Sequence, residues 1–349
     1  MRRNSKVVRI GDIKIGGDKK IAIQSMTTTK TADIESTVAQ INELEAAGAD
    51  IVRFTVPDEE AAMAVSKIKE KTNVPLVADI HFNFRLALMC IDGGIDKIRI
   101  NPGNIGSKER VYEVAKAAIE RNVPIRIGVN LGSIEKEFYE KYGATPRAMV
   151  ESAKYHASLL TECGMENIVI SLKASDVRKT VEAYTLMAQE CDFPLHLGVT
   201  EAGVEYEGII KSSIGIGSLL LSGIGDTIRV SLTTDPVKEI KAAKALLSAL
   251  DLREEPKLIS CPTCGRCNIN LFEIADKVQN YLYTVNKPIK VAVMGCAVNG
   301  PGEAKEADVG IAGGKGDAVL FKKGVIVKKI SEEEILSELF REIDLWSEK

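Results

Sequence analysis

Asp50-Ile51-Val52-Arg53-Phe54-Thr55-Val56, Pro75-Leu76-Val77-Ala78-Asp79-Ile80-His81 and Lys97-Ile98-Arg99-Ile100-Asn101 are three short β-branched runs set apart by helix-length segments. Near-continuous apolar runs of this length suit strands buried on both faces, and a parallel pair needs a crossover, usually a helix, between its members. Similar runs stand at residues 21–26, 124–130, 167–174, 194–200 and 227–232, eight in all. Their starts are mostly 22 to 33 residues apart, the length of one βα unit, with a longer gap between the fifth and sixth. Intervening segments such as 34–47 and 110–120 carry apolar residues at three-to-four spacing. Eight units of this kind predict an α/β fold with an N-terminal (β/α)8 TIM barrel. An open doubly wound sheet is the competing arrangement. Ahead of the first unit, residues 7–10 and 13–15 flank Gly11-Asp12 and predict a small hairpin that plugs the bottom of the barrel.

In chain order the ends of these runs carry Arg53, Asp79 and His81, Arg99 and Asn101, Arg126 and Asn130, Lys173 and Ser175, His196 and Glu201, then Arg229 and Ser231. Arg53, Arg99, Arg126, Lys173 and Arg229 are cations inside otherwise apolar runs, where charge is costly unless paired. One such arginine is readily a structural ion pair. Five converging on one mouth exceed what Asp79 and Glu201 can neutralise, so a polyanionic ligand is the economical partner. Active sites of these barrels lie at the carboxyl ends of the strands, and a diphosphate-sized ligand is expected there. Ile214-Gly215-Ile216-Gly217-Ser218 is a candidate phosphate-binding loop. Gly223-Ile224-Gly225-Asp226 reads as a helix stop and turn into the eighth strand. The acidic stretches 135–140 and 331–334 read as solvated helix surface.

The charged segment 251–257 ends the barrel, which predicts a first domain over 1–254 and a second over 255–349. The second reads as small and α+β, with a helix over 271–283, strands at 289–294, 318–322 and 325–330, and a terminal helix over 332–346. It holds Cys261-Pro262-Thr263-Cys264-Gly265-Arg266-Cys267 and Gly295-Cys296-Ala297-Val298-Asn299-Gly300-Pro301-Gly302-Glu303. A C-x-x-C pair answered by a distant cysteine between small residues can cage a metal centre, and soft thiolates select iron–sulfur clusters, zinc or copper(I). Structural zinc is completed by a fourth cysteine or a histidine. The only histidines, His81, His156 and His196, lie far upstream. An iron–sulfur cluster is therefore expected, with a zinc knuckle as the alternative.

The 349 residues include 46 basic and 49 acidic side chains for a net charge of −3, which argues against nucleic-acid or membrane-surface affinity. Met1-Arg2-Arg3-Asn4-Ser5-Lys6 leads into no apolar core of a signal peptide. No apolar run is long enough to span a membrane. Cys90, Cys163 and Cys191 are scattered singly, unlike a secreted disulfide framework. A reducing cytoplasm is the expected compartment.

Ser260-Cys261-Pro262-Thr263-Cys264-Gly265-Arg266, the segment from Gly295 to Glu303, His196-Leu197-Gly198-Val199-Thr200-Glu201-Ala202-Gly203 and Arg229-Val230-Ser231-Leu232 together resemble the 4-hydroxy-3-methylbut-2-en-1-yl diphosphate synthase family. The likeness runs from about residue 6 to 345, with the length of the two-domain bacterial form. It implies reductive ring opening and dehydroxylation of 2-C-methyl-D-erythritol 2,4-cyclodiphosphate to (E)-4-hydroxy-3-methylbut-2-enyl diphosphate, in isoprenoid precursor biosynthesis. It also implies a 4Fe–4S cluster, two electrons from flavodoxin or ferredoxin, and a head-to-tail homodimer. Carried over, the cluster ligands fall on Cys261, Cys264, Cys296 and Glu303. Cys267 stands where relatives usually carry another residue, which leaves a four-cysteine set open. Glu303 is favoured because a carboxylate leaves iron more readily than a thiolate does, freeing a position for substrate. Arg53, Arg99, Asn101, Arg126, Asn130, Lys173, Ser175, Arg229 and Ser231 from the strand ends, with Asn299, are expected to bind the substrate. Glu201, with His81 and Asp79, is expected to handle the proton. The competing class is a barrel transferase acting on a diphosphate, with a structural zinc in its tail.

Overall fold

A computed structural model describes residues 2–296 and 304–347, which fold as two compact units, Met1–Leu252 and Arg253–Lys349. The first opens on the antiparallel hairpin β1 (Val8–Ile10) and β2 (Ile13–Ile15), turned at Gly11, whose φ of +58° favours glycine. Eight parallel strands follow: β3 (Ala22–Met26), β4 (Ile51–Thr55), β5 (Leu76–Asp79), β6 (Lys97–Ile100), β7 (Ile125–Asn130), β8 (Ile168–Lys173), β9 (His196–Leu197) and β10 (Thr227–Ile228). They are ordered β8-β7-β6-β5-β4-β3-β10-β9, and a parallel bridge between Ile170 and Leu195 brings β9 to β8. The ring is a (β/α)8 barrel. Its last two strands are shorter than the sequence suggests. Beyond them single bonds replace the ladder, from Arg229 N to Leu197 O at 3.0 Å and from Thr200 N to Ala174 O at 3.3 Å.

Alternation sorts each strand into two faces. Ile98, Ile100, Ile125, Ile127, Ile168 and Ile170 pack outward on the helices. Inward, Ala22, Ile51, Val77 and Val169 pack on Val8, Ile10 and Ile15, so the hairpin closes the amino-terminal end as expected. The crossover helices start on side-chain caps, including Asp33, Asp58, Thr145, Asp176 and Asp235, each worth about 1 kcal/mol. The long gap between the fifth and sixth strands holds two helices, Lys136–Tyr142 and Pro146–Glu162.

The glycine-rich stretch at 214–218 is not a phosphate loop. It lies inside the helix Glu205–Leu221, and a Cβ on Gly215 would fall 2.7 Å from Val199 Cγ2. Gly215 serves close packing of helix on barrel. Gly223 and Gly225, with φ of +74° and +124°, do stop that helix and turn the chain into β10.

In the second unit five strands are ordered β11 (Lys257–Ser260), β12 (Lys290–Met294), β13 (Val309–Gly313), β14 (Asp317–Lys322) and β15 (Val325–Ser331). The first three run parallel and the rest antiparallel. One face carries the helices Leu271–Leu282 and Ile335–Leu345, packed through Ile274, Val278, Leu339 and Ile343 on Val291, Val293, Ile311 and Leu320. The other face gathers Ala292, Met294, Ala304, Ala312 and Phe321.

Candidate active site

At the carboxyl ends of the barrel strands a cavity of about 180 Å³ is lined by Arg53, Asp79, His81, Arg99, Arg126, Asn130, Ser171, Lys173, Thr200, Arg229 and Ser231. Strand register makes the arrangement. Asp79 pairs with Arg99 across β5 and β6, Arg99 with Arg126 across β6 and β7, and Asn130 with Lys173 across β7 and β8. Inward-facing cations thus stand side by side around the ring.

Asp79 is the buried hub of this charge. Arg99 Nη1 donates to its Oδ1 at 3.1 Å, and Arg53 Nε lies 3.6 Å from Oδ2. Burial alone would raise its pKa, but Arg53, Arg99 and Arg126 overcome that and hold it at about 2. Arg99 also donates to the Gly128 carbonyl at 3.2 Å, and a Cβ on Gly128 would collide with its guanidinium. Arg229 meets Glu239 at 3.4 Å, and Glu239 accepts the Leu232 backbone N–H at 2.9 Å. Between the two arginines Met26 presents its thioether, 2.9 Å from Arg53 Nη2 and 3.5 Å from Arg229 Nη1. This acceptor orients the guanidinium groups without neutralising them. Arg126 is 1% exposed, and none of its three side-chain nitrogens has a hydrogen-bond partner among the described residues. Burial, then Arg126 and Arg53, push the Lys173 amine well below the ordinary lysine range. Four fixed guanidinium charges face two carboxylates, Asp79 and Glu239. The cavity is built to receive an anion.

Other sequence candidates fall elsewhere. Asn101 is buried outside the cavity lining, and Ser175 and Glu201 are exposed outside it. Glu201 has φ of +52°, a left-handed backbone costly for a non-glycine residue. His196 is fully buried, with Nδ1 2.7 Å from Thr227 Oγ1. Met26, Ser171, Thr200 and Glu239 were not anticipated. The period-2 pattern does place Met26 on the inward face, two residues after Gln24, whereas Glu239 comes from a helix and has no strand signal.

In the second unit the parallel pairing of β11 and β12, with Ser260 opposite Val293, delivers Cys261 and Gly295-Cys296 to the same sheet edge. Gly295 N–H donates to Cys261 Sγ at 3.3 Å. The Cys267 thiol donates to the Ile269 carbonyl at 3.3 Å, and a Cβ on Gly295 would lie 2.7 Å from its sulfur. Cys264 is exposed, and hydrogen bonds from the Arg266 backbone, then its side chain, pull its thiol below the ordinary range. Thiols and sulfur-directed N–H groups at one edge suit an iron–sulfur cluster, whose ligands bind separate irons. Among the described residues no three His, Cys, Asp or Glu side chains form a group that could hold one metal ion. Asn299 and Glu303 lie outside the described residues. Among the described residues no helix is long and apolar enough to cross a membrane.

Comparison with known proteins gives a consistent result. The GcpE TIM-barrel domain model matches residues 5–244, and the GcpE protein C-terminal domain model matches residues 257–345. A protein of Geobacillus kaustophilus named 4-hydroxy-3-methylbut-2-en-1-yl diphosphate synthase (flavodoxin) is 56% identical over 350 residues, covering 100% of this chain and 94% of its own. One of the same name from Ruminiclostridium cellulolyticum is 55% identical over 344 residues, with 98% of each chain covered. Among solved structures, dihydropteroate synthase from Stenotrophomonas maltophilia superposes with a TM-score of 0.53 at 13% identity, covering 71% of this chain and 100% of that one. 3-Dehydroquinate dehydratase from Geobacillus kaustophilus gives 0.52 at 16% identity, covering 71% of this chain and 98% of that one. Those two likenesses are of fold alone.

Proposed function

The chain belongs to the GcpE family, and on that premise we propose that it is an oxidoreductase of isoprenoid precursor biosynthesis that opens 2-C-methyl-D-erythritol 2,4-cyclodiphosphate reductively to (E)-4-hydroxy-3-methylbut-2-enyl diphosphate. The observation that carries this reading is the barrel cavity, where four guanidinium groups and Lys173 face only two carboxylates. A cyclic diphosphate supplies the missing negative charge, and a neutral substrate would not.

Arg53, Arg99, Arg126, Lys173 and Arg229 hold the phosphate oxygens, with Asn130 and Ser231 at the rim. Asp79 and Glu239 fix Arg99 and Arg229 while leaving a positive surplus. Opening the ring frees a phosphate oxygen that the cycle had tied up in an ester bond, so negative charge grows along the reaction. Preorganised cations favour that growth and need not rearrange to meet it. Loss of the hydroxyl as water requires a proton. His81, which lines the cavity, is given that role in this reading, with Glu201, exposed on the loop after β9 and outside the lining, as the second candidate.

In this reading the first unit, Met1–Leu252, is the substrate domain and the second, Arg253–Lys349, the cluster domain, a division two residues ahead of the one expected after residue 254. Cys261, Cys264, Cys296 and Glu303 would hold a 4Fe–4S cluster, with Cys267 beside it. When bound, the cluster supplies electrons singly to the carbon–oxygen bond. The donor is flavodoxin, as in the names of the relatives, the working form is a head-to-tail homodimer, and the compartment is the cytoplasm. Anaerobic purification followed by iron and sulfide analysis, a visible spectrum and turnover with reduced flavodoxin tests the reading. A colourless, iron-free protein that binds the cyclic diphosphate would return the barrel to the transferase class.

A further inference from the structure

Below the substrate cavity the barrel interior is polar where this fold ordinarily packs layers of branched aliphatic side chains. Gln24 lies two residues after the floor residue Ala22, Lys97 pairs with the floor residue Val77, and Thr227 pairs with both Ala22 and His196. Lys97 is 0% exposed and its Nζ has no hydrogen-bond partner among the described residues. The Gln24 amide, the Arg126 guanidinium and His196 Nε2 are unpartnered in the same way. Nearby carboxylates are engaged above, Asp79 by Arg99 and Arg53 and Glu239 by Arg229. A buried ammonium without a partner is far costlier than the neutral amine. The guanidinium groups around it keep their protons at any ordinary pH, so the lysine is the group that gives way.

The charged and titratable groups around Lys97 come from several strands. Arg53 stands on β4, Asp79 on β5, Arg99 on its own strand, Arg126 on β7, Lys173 on β8 and His196 on β9. In the hairpin below, Val8, Ile10 and Ile15 are buried against the floor residues Ala22, Ile51, Val77 and Val169. Burial, then Arg126 and Arg53, push the Lys97 titration well below the lysine range.

We propose that Lys97 stands as a neutral amine in the empty barrel and takes up a proton from solvent when the diphosphate enters above it. Substrate binding is then coupled to the charging of a lysine outside the cavity lining, a positioning residue for the bound anion. The inference rests on the diphosphate reading given above. In the free protein the neutral amine spares the floor a further repulsive charge. With the diphosphate present, the same group adds to the field that holds it.

Titration calorimetry of the full-length, cluster-loaded protein with the cyclic diphosphate tests this, in the absence of reductant so that nothing turns over. Buffers of different ionisation enthalpy report the protons taken up, from neutral to mildly alkaline pH. The wild type is expected to take up protons and to lose affinity with rising pH, by up to about tenfold per pH unit for each proton. Lys97→Met should lower the uptake by close to one proton and flatten the pH dependence of Kd to match. Lys97→Arg, which keeps a charge but cannot titrate, should lower it equally, whereas a merely structural role would leave the proton number unchanged. Binding without proton uptake in the wild type, or uptake undiminished in either variant that folds, overturns the inference and leaves the diphosphate reading standing. No binding at all would remove that reading and this inference with it.

Discussion

Asp79 shows how one carboxylate sets the working charge of the cavity. Its pKa of about 2, against an ordinary 3.8, records attraction by Arg53, Arg99 and Arg126 that outweighs burial. Because the folded value is depressed, its stabilisation is complete above pH 4 and is lost as pH falls from the ordinary carboxylate range towards 2. That difference corresponds to about 2 kcal/mol. Asp79→Asn should destabilise the protein at neutral pH by about 3 to 5 kcal/mol, since it strands two buried guanidinium groups. It should also flatten the acid limb of stability between about pH 4 and 2, and urea denaturation across pH reads both effects. Added cyclic diphosphate should restore part of the loss at neutral pH. The five cations were legible in the sequence because each interrupts an apolar run. Lys97 carries the same signal, two residues before Arg99 on one strand face, yet its depth and lack of partner emerge only from strand register and barrel packing.

Among elements, legibility followed pattern. The helix Ile34–Ala47 has the bounds its three-to-four spacing predicts, and β7 and β8 lie within their β-branched runs. Strand β13, Val309-Gly310-Ile311-Ala312-Gly313, was not foreseen, because its two glycines read as loop. Gly310 is there for packing, since a Cβ would come 2.5 Å from Phe321 Cζ and 2.7 Å from the Ala292 Cβ. Gly310→Ala should therefore cost about 1–3 kcal/mol by overpacking, measured by denaturation of the full chain. Gly215 and Gly217 of the helix Glu205–Leu221 misled in the other direction, appearing as a phosphate loop when they lie within a helix and Gly215 admits Val199. In both places glycine marks close approach, and sequence alone does not say of what. The cysteine segments read as metal-binding by spacing and softness. Cys267, with its sulfur turned to the Ile269 carbonyl, has a partner that needs no iron. Cys267→Ser should keep its iron while Cys261→Ser, Cys264→Ser and Cys296→Ser lose it. Equal loss in Cys267→Ser, read as iron per chain, would favour the four-cysteine cage.

For the whole molecule, the proposed reaction needs electrons from the second unit at the cavity of the first, and the chain between them is short. The last barrel helix ends at Ala249 and β11 begins at Lys257. The seven residues between can span at most about 25 Å when extended. We propose that the second unit serves the barrel of another chain, the head-to-tail pairing that the family resemblance implies. In such a pair two-fold symmetry would complete both sites at once. A hinge there would also let the diphosphate enter before the cluster approaches. Complementation decides between the two arrangements. Arg53→Ala disables the barrel, and Cys296→Ser disables the cluster unit. If each site is shared between two chains, the mixed pair contains one site in which both halves are intact. Equal mixing makes half of the pairs mixed, so activity should return to about a quarter of the wild-type value. Each variant alone should stay inactive. If subunit exchange is shown by mass spectrometry of differently tagged chains and no activity returns, each chain closes its own site and the shared-site proposal is wrong.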